Sequence, residues 1–184
     1  PLKFEKSLHG IGLSFLNDKV GAFTNQGVHL IYSFKKRLGE GVLSLGADIG
    51  AISVGFNGDS VMSHLVSIGE YFDITSDGAI PTTAVAGTSF DLNIGSWYST
   101  KNIFAGVSLS HLNQPMIEWG TTAEIRPSST LFITGGYKFD MPGTKYTFTP
   151  STLFKSDFTT SQLDLSAKVD YADKYWGGLS YRWG

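Results

Sequence analysis

The side chains with which this chain could do chemistry are four histidines, a scatter of carboxylates and no cysteine. Without cysteine, thiolate nucleophiles, thiolate metal sites and disulfides are excluded. The histidines are His9, His29, His64 and His111. Ser110 and His111, with Asn113, come nearest to a nucleophile set, and a hydroxyl, a base and an amide are the parts of a lipid-hydrolysing site. Activation needs a hydrogen bond from nucleophile to base, and adjacent residues of a strand point to opposite faces. The spacing therefore argues against catalysis, and His111 reads as a strand-end residue. The carboxylates of Asp48, Asp91, Asp164 and Asp170 could supply an acid–base pair. The better reading places them on one protected face, balanced by Lys168 and Arg182, since sequestered charges need partners. Asn57-Gly58-Asp59 lacks the further acidic ligands of a calcium loop. Gly10-Ile11-Gly12 lacks the strand–helix context of a phosphate loop. No catalytic, cofactor-binding or metal residue is expected, and no cofactor.

Composition bounds the rest. The 184 residues suit one domain spanning 1–184. Charged residues are 16%, against ~25% in an average soluble domain, and glycine is abundant at 22 residues. A net charge of -2 and a pI near 6.1 leave no electrostatic case for nucleic acid. No apolar run approaches the ~20 residues of a membrane helix. The chain begins at Pro1 without a signal peptide, and it reads as processed or incomplete.

The elements that must carry these residues are strands. In 161–183, Leu163, Leu165, Ala167, Val169 and Tyr171 alternate with Asp164, Ser166, Lys168 and Asp170. After Ala172-Asp173-Lys174 the alternation resumes with Tyr175, Gly177, Leu179, Tyr181 and Trp183. A period of two gives a hairpin with one apolar and one polar face. The same pattern predicts strands over 9–16, 28–37, 42–54, 86–98, 103–110, 130–139 and 145–155, about nine in all. Asn17-Asp18-Lys19 reads as a turn, 20–27 is indecisive, and 55–85 is a long connection with a short helix near Val61–Ile68. Pro150 should bring a bulge or local break, because proline cannot donate to a ladder.

Short connections at 39–41, 99–102, 141–144 and 172–174 alternate with longer ones at 16–27, 55–85 and 111–129 and a medium one at 156–161. Phe34, Tyr98, Phe139, Tyr146, Tyr171 and Tyr175 gather beside the short ones on the apolar face, as an interfacial aromatic girdle does. The polar face is mostly Gly, Ser, Thr and Asn, whereas a soluble barrel would be richly charged there. The expected fold is all-β, an antiparallel up-and-down transmembrane β-barrel, with a soluble β-sandwich as the rival. Asp48, Asp91, Asp164, Lys168 and Arg182 are the lumen-facing candidates. A three-residue turn at 172–174 sets Asp164 opposite Arg182, which predicts an ion pair.

The run GIGLSFLNDKVGAFTNQGVHLIYSFKKRL at 10–38 resembles the opening strands of the PorP/SprF family of outer-membrane proteins. So do LSLGADIG (43–50), SWYSTKNIFAGVS (96–108), Pro150-Ser151 and YWGGLSYR (175–182), in that order along nearly the whole chain. The resemblance implies the type IX secretion and gliding apparatus of Bacteroidota. It implies the cell outer membrane as location, with outer-membrane lipid, secretion components of a periplasmic ring or translocon, and a secreted adhesin as partners. Family members are longer, and an odd strand count leaves an edge open, so further strands are expected beyond Trp183. The expected function is non-enzymatic: secretion or surface anchoring of large adhesins. The alternatives are a passive channel for small solutes and a lipid-modifying barrel enzyme.

Overall fold

The computed structural model describes residues 2–4, 7–59, 81, 83–119 and 123–184, with side chains from Ser7 onward. Thirteen strands follow the chain: β1 (Leu2–Phe4), β2 (Ser7–Val20), β3 (Phe23–Leu38), β4 (Gly41–Asn57), β5 (Ala84–Ser99), β6 (Ile103–Ser110), β7 (Ile117–Trp119), β8 (Ala123–Ile125), β9 (Thr130–Tyr137), β10 (Phe139–Asp140), β11 (Tyr146–Ser156), β12 (Ser161–Tyr171) and β13 (Tyr175–Trp183). Eleven form one antiparallel sheet in the order β1-β2-β3-β4-β5-β6-β9-β11-β12-β13, with β10 paired to β11; β7 and β8 form a separate hairpin. The nine long strands are those the alternation predicts. Among the described residues the sheet stays open, with β1–β2 at one edge and β13 at the other.

One register runs across the whole sheet. Leu13 opposes Leu30, Leu30 opposes Ile49, and Ile49 opposes Leu92. Farther on, Val107 opposes Ile133, Ile133 opposes Phe154, and Phe154 opposes Leu163, which opposes Trp183. A slip by one residue would put an apolar set on the other face, so this continuity is strongly specified. The face so built is exposed. Leu13, Leu30, Ile49, Val107 and Ile133 all lie open, and the buried hydrophobic core of the described residues is Ile117 and Trp119 alone. Apolar exposure on this scale marks a surface that meets something other than water.

The apolar band is bounded at both ends. Along β3 Val28, Leu30, Tyr32 and Phe34 face outward, and Lys36 follows them toward the short turn. Beyond Val28 the same face turns polar. Gln26 opposes Asn17 and donates to it at 3.1 Å, and Thr24 opposes Lys19.

Two sequence expectations are corrected and one is met in part. Asn17-Asp18-Lys19 is not a turn; β2 runs through it to Val20, and the chain reverses at Gly21-Ala22, where Gly21 takes a left-handed φ of 60°. A two-residue hairpin accounts for this, since glycine adopts positive φ without steric cost. The 16–27 connection is therefore short, and the long-versus-short asymmetry rests on 58–83 and 111–129. Second, Pro150 brings a local break but no bulge. Register with β12 is unbroken through Pro150↔Ala167. On its other side the ladder stops after Ser151↔Gly136 and resumes in the same register at Phe148↔Phe139 of β10, so the bond that Pro150 cannot donate is missing from the gap it faces. Third, the strand expected over 130–139 is interrupted at Lys138, whose N–H donates instead to the Asn102 carbonyl at 2.7 Å. The short helix near Val61–Ile68 lies outside the described residues.

Candidate functional site on the polar face

The polar face gathers carboxylates and histidines from strands far apart in sequence. Register sets Gly50 between His29 and Asp91, and Asp48 between Ile31 and Asn93. On this lattice Asn93 is the hub. Its Nδ2 donates to Asp48 Oδ1 at 2.6 Å and to Asp91 Oδ2 at 2.9 Å, and its Oδ1 accepts the His111 N–H at 2.8 Å. Each carboxylate also meets an imidazole: Asp48 Oδ1 lies 3.1 Å from His29 Nδ1, and Asp91 Oδ1 lies 2.8 Å from His111 Nδ1. Asp91 is 1% exposed, and these contacts are what make its burial tolerable. Gly50 leaves the space for His29, because a Cβ there would collide with the Val28 carbonyl and the imidazole. A groove of about 610 Å³ opens beside the network, lined by Ser14, His29, Asp48, Asp91, Ser110 and His111 among others.

Sequence reasoning set Ser110 and His111 on opposite faces, and the structure corrects that. His111 follows the last residue of β6 with φ 53°. The left-handed backbone breaks the alternation and returns the ring to the polar face. Both residues line the groove, yet no hydrogen bond joins a serine hydroxyl to the His111 ring among the described residues. A serine–histidine bond that the sequence reading missed lies elsewhere. Ser7 Oγ is 3.2 Å from His9 Nε2, and His9 Nδ1 is 2.7 Å from the Tyr32 hydroxyl. The i, i+2 spacing could have revealed it. The third group is a phenol, which gives an imidazolium no countercharge. His9 also packs edge-on against Phe34, with ring centroids 5.2 Å apart.

Above the network, hairpin β7–β8 folds over the polar face. Trp119 Nε1 donates to the Val54 carbonyl at 2.8 Å, and its ring stacks on Phe56 at 5.7 Å and meets Phe23 at 6.1 Å. Ile117 is fully buried, and Gly87 makes room, since a Cβ there would strike the Glu118 carbonyl. The 111–129 connection is thus tied down at both ends: His111 holds Asp91 and Asn93, and Ser129 Oγ donates to the His111 carbonyl at 2.7 Å.

An open antiparallel sheet with one exposed apolar face, and a polar face whose carboxylates at Asp48, Asp91, Asp164 and Asp170 are all partnered, is what a membrane-spanning strand protein presents. The family model described as type IX secretion system membrane protein PorP/SprF matches residues 2–184. The chain belongs to the PorP/SprF family. No match is found among curated proteins. The family is one of secretion-system membrane proteins rather than enzymes.

In this PorP/SprF chain the remaining site candidates fall as follows. Asp164 and Arg182 form the expected ion pair across β12 and β13, with Nε–Oδ1 at 2.9 Å and Nη2–Oδ2 at 3.2 Å. Lys168 bonds Asp170 at 2.8 Å and lies over the Trp176 ring. The balance expected between Asp48, Asp91 and the two cations is corrected: these carboxylates are held by histidines and Asn93 instead. Of the aromatic candidates, Tyr146, Tyr171 and Tyr175 are consecutive register partners. Phe139 packs on Tyr137 at 4.3 Å, and the Tyr98 hydroxyl donates to the Leu38 carbonyl at 3.2 Å. Phe34 opposes Leu45 on the same face.

Proposed function

We propose that this chain is a non-enzymatic β-barrel component of the type IX secretion and gliding apparatus in the cell outer membrane. It takes part in the secretion or surface anchoring of a large secreted adhesin. The observation that carries the reading is the exposed apolar face, continuous in register from β2 to β13, in a chain that matches a secretion-system membrane family throughout. Lipid covers that face. The polar face, with Asp48, Asp91, Asp164, Lys168 and Arg182, lines the interior. Phe34, Tyr98, Phe139, Tyr146, Tyr171 and Tyr175 ring the periplasmic rim. The edges β2 and β13 pair with each other or with further strands, because unsatisfied backbone groups are costly in hydrocarbon.

The mechanism is recognition rather than chemistry. The long 58–83 and 111–129 connections stand at one end and engage the secreted chain; the short turns at the other face periplasmic components of the machine. Isolation from native membranes in mild detergent, followed by identification of co-purifying proteins, tests this. Recovery of secretion components or an adhesin is expected. Recovery of the barrel alone, with conductance to small solutes in a planar bilayer, would favour a passive channel.

A further inference from the structure

Charge is distributed along the strand axis rather than mixed. Beside the short turns stand the Lys35-Lys36-Arg37 run, Lys101, Lys138, Lys145 and Lys174, all exposed, against Glu40, Asp140 and Asp173. Toward the opposite end the balance reverses, with Asp18, Asp59, Glu118, Glu124 and Asp157 against Lys19, Arg126 and Lys155. The cations are also placed beside the rim aromatics. Lys36 shares the outward face of β3 with Phe34, Lys145 precedes Tyr146 in the turn before β11, and Lys174 precedes Tyr175 in the turn before β13, whereas Lys138 lines a cavity on the polar side. Among the described residues Lys36, Lys145 and Lys174 have no ion-pair partner, and Lys101 reaches Asp140 only at 3.9 Å.

We propose that the short-turn rim is a binding surface for the phosphate groups of anionic phospholipids in the leaflet it faces. This rests on the membrane-barrel reading above. Tyrosine rings settle at headgroup depth, so an ammonium one residue away lies at the level of the phosphates. Lysine stems run along apolar surface while the charge stays in the polar layer. The distribution argues for lipid over a protein. A protein partner needs a patch, whereas these cations recur on β3, in the β5–β6 turn, in the β10–β11 turn and in the β12–β13 turn, following the perimeter of the sheet. A surface that meets its ligand all the way round is meeting the leaflet.

The test uses the full chain reconstituted into equimolar phosphatidylcholine and phosphatidylglycerol vesicles. Retained lipids are counted by native mass spectrometry after mild extraction, and folding is checked by heat-modifiable gel migration. Phosphatidylglycerol is expected to be retained at least about fivefold over phosphatidylcholine, the preference one to two interfacial lysines supply. Replacement of Lys36, Lys145 and Lys174 by Gln, with migration unchanged, should bring retention to parity. Raising the salt to about 1 M should do the same in the unaltered protein, since it shortens screening to ~3 Å. Equal retention of both lipids, or enrichment that survives both changes, overturns the proposal while leaving the barrel intact. Lipid parity together with salt-sensitive capture of polyglutamate overturns it in favour of an acidic protein. Failure to enter vesicles at all removes the barrel reading, and the proposal with it.

Discussion

Asp91 shows how a single side chain holds the polar face together. It is buried, it accepts from Asn93, and it orients His111 at the point where β6 gives way to the 111–129 connection. Asp91→Leu leaves the Asn93 amide and the His111 ring short of a partner, and a buried unsatisfied group costs ~1–3 kcal/mol. A matching fall in the urea midpoint for unfolding from detergent micelles is expected. Asp91→Asn, which keeps one acceptor, should fall less; equal loss in the two variants would remove the network from the account. A second carboxylate acts outside the strands. The Asp157 carboxyl is held below its usual range, first by the Thr160 backbone N–H and then by that of Thr159, with the Thr160 hydroxyl adding to them. Because the folded value is depressed, the stabilisation is complete above the unfolded pKa and is lost as pH falls through the folded one. Amide protection at Thr159 and Thr160 should therefore hold at pH 5 and above, and disappear below the ordinary carboxyl value of about 3.8. Protection that does not change down to pH 2 contradicts this. Asp48 and Asp91 were legible as polar-face residues from parity alone. Their partner His111 was not, because a left-handed residue breaks the count on which parity depends.

At the scale of elements, β7–β8 is the unit that buries apolar side chains among the described residues. Trp119 packs over the adjoining rings of Phe23 and Phe56, and truncation of a buried aromatic costs ~3–5 kcal/mol in a packed core. Part of this is recovered where the hairpin can lift off while the sheet persists. Trp119→Ala and Gly87→Val should thus leave heat-modifiable migration intact and speed protease cleavage within 111–129 by about tenfold or more. Unchanged cleavage would mean that the hairpin's seat does not depend on these contacts. Pro150→Ala, by contrast, should shift the urea midpoint little, since the restored N–H meets no paired rung of β9. The hairpin escaped sequence reading because strands of three residues are too short to display a period. The β2 turn was misplaced for a related reason. Past the apolar band the outward face is itself polar, so Asn17 and Lys19 resemble turn chemistry although they continue a strand.

At the scale of the molecule, the two faces of the sheet should respond in opposite ways to charge. Ile49 lies at the middle of β4 on the apolar face, opposite Leu30. Ile49→Arg should cost ~2–4 kcal/mol of folding free energy in vesicles, as charged groups do at the midplane of a barrel. Ser44→Glu, on the polar face of the same strand and opposite Lys35, should be near neutral. Folding yields in phosphatidylcholine vesicles decide the matter, and similar tolerance of the two variants would place the apolar face in water instead. The period-two pattern over nine strands determined the all-β class, the order of strands, the two faces and the Asp164–Arg182 pair, because alternation and hairpin register are local and survive without tertiary context. Only the folded sheet decided which polar groups meet. The His29, Asp48, Asn93, Asp91 and His111 cluster joins positions up to 82 residues apart, brought together by cross-strand pairing. The inward seat of β7–β8 likewise depends on a gap at Gly87 that no stretch of sequence announces.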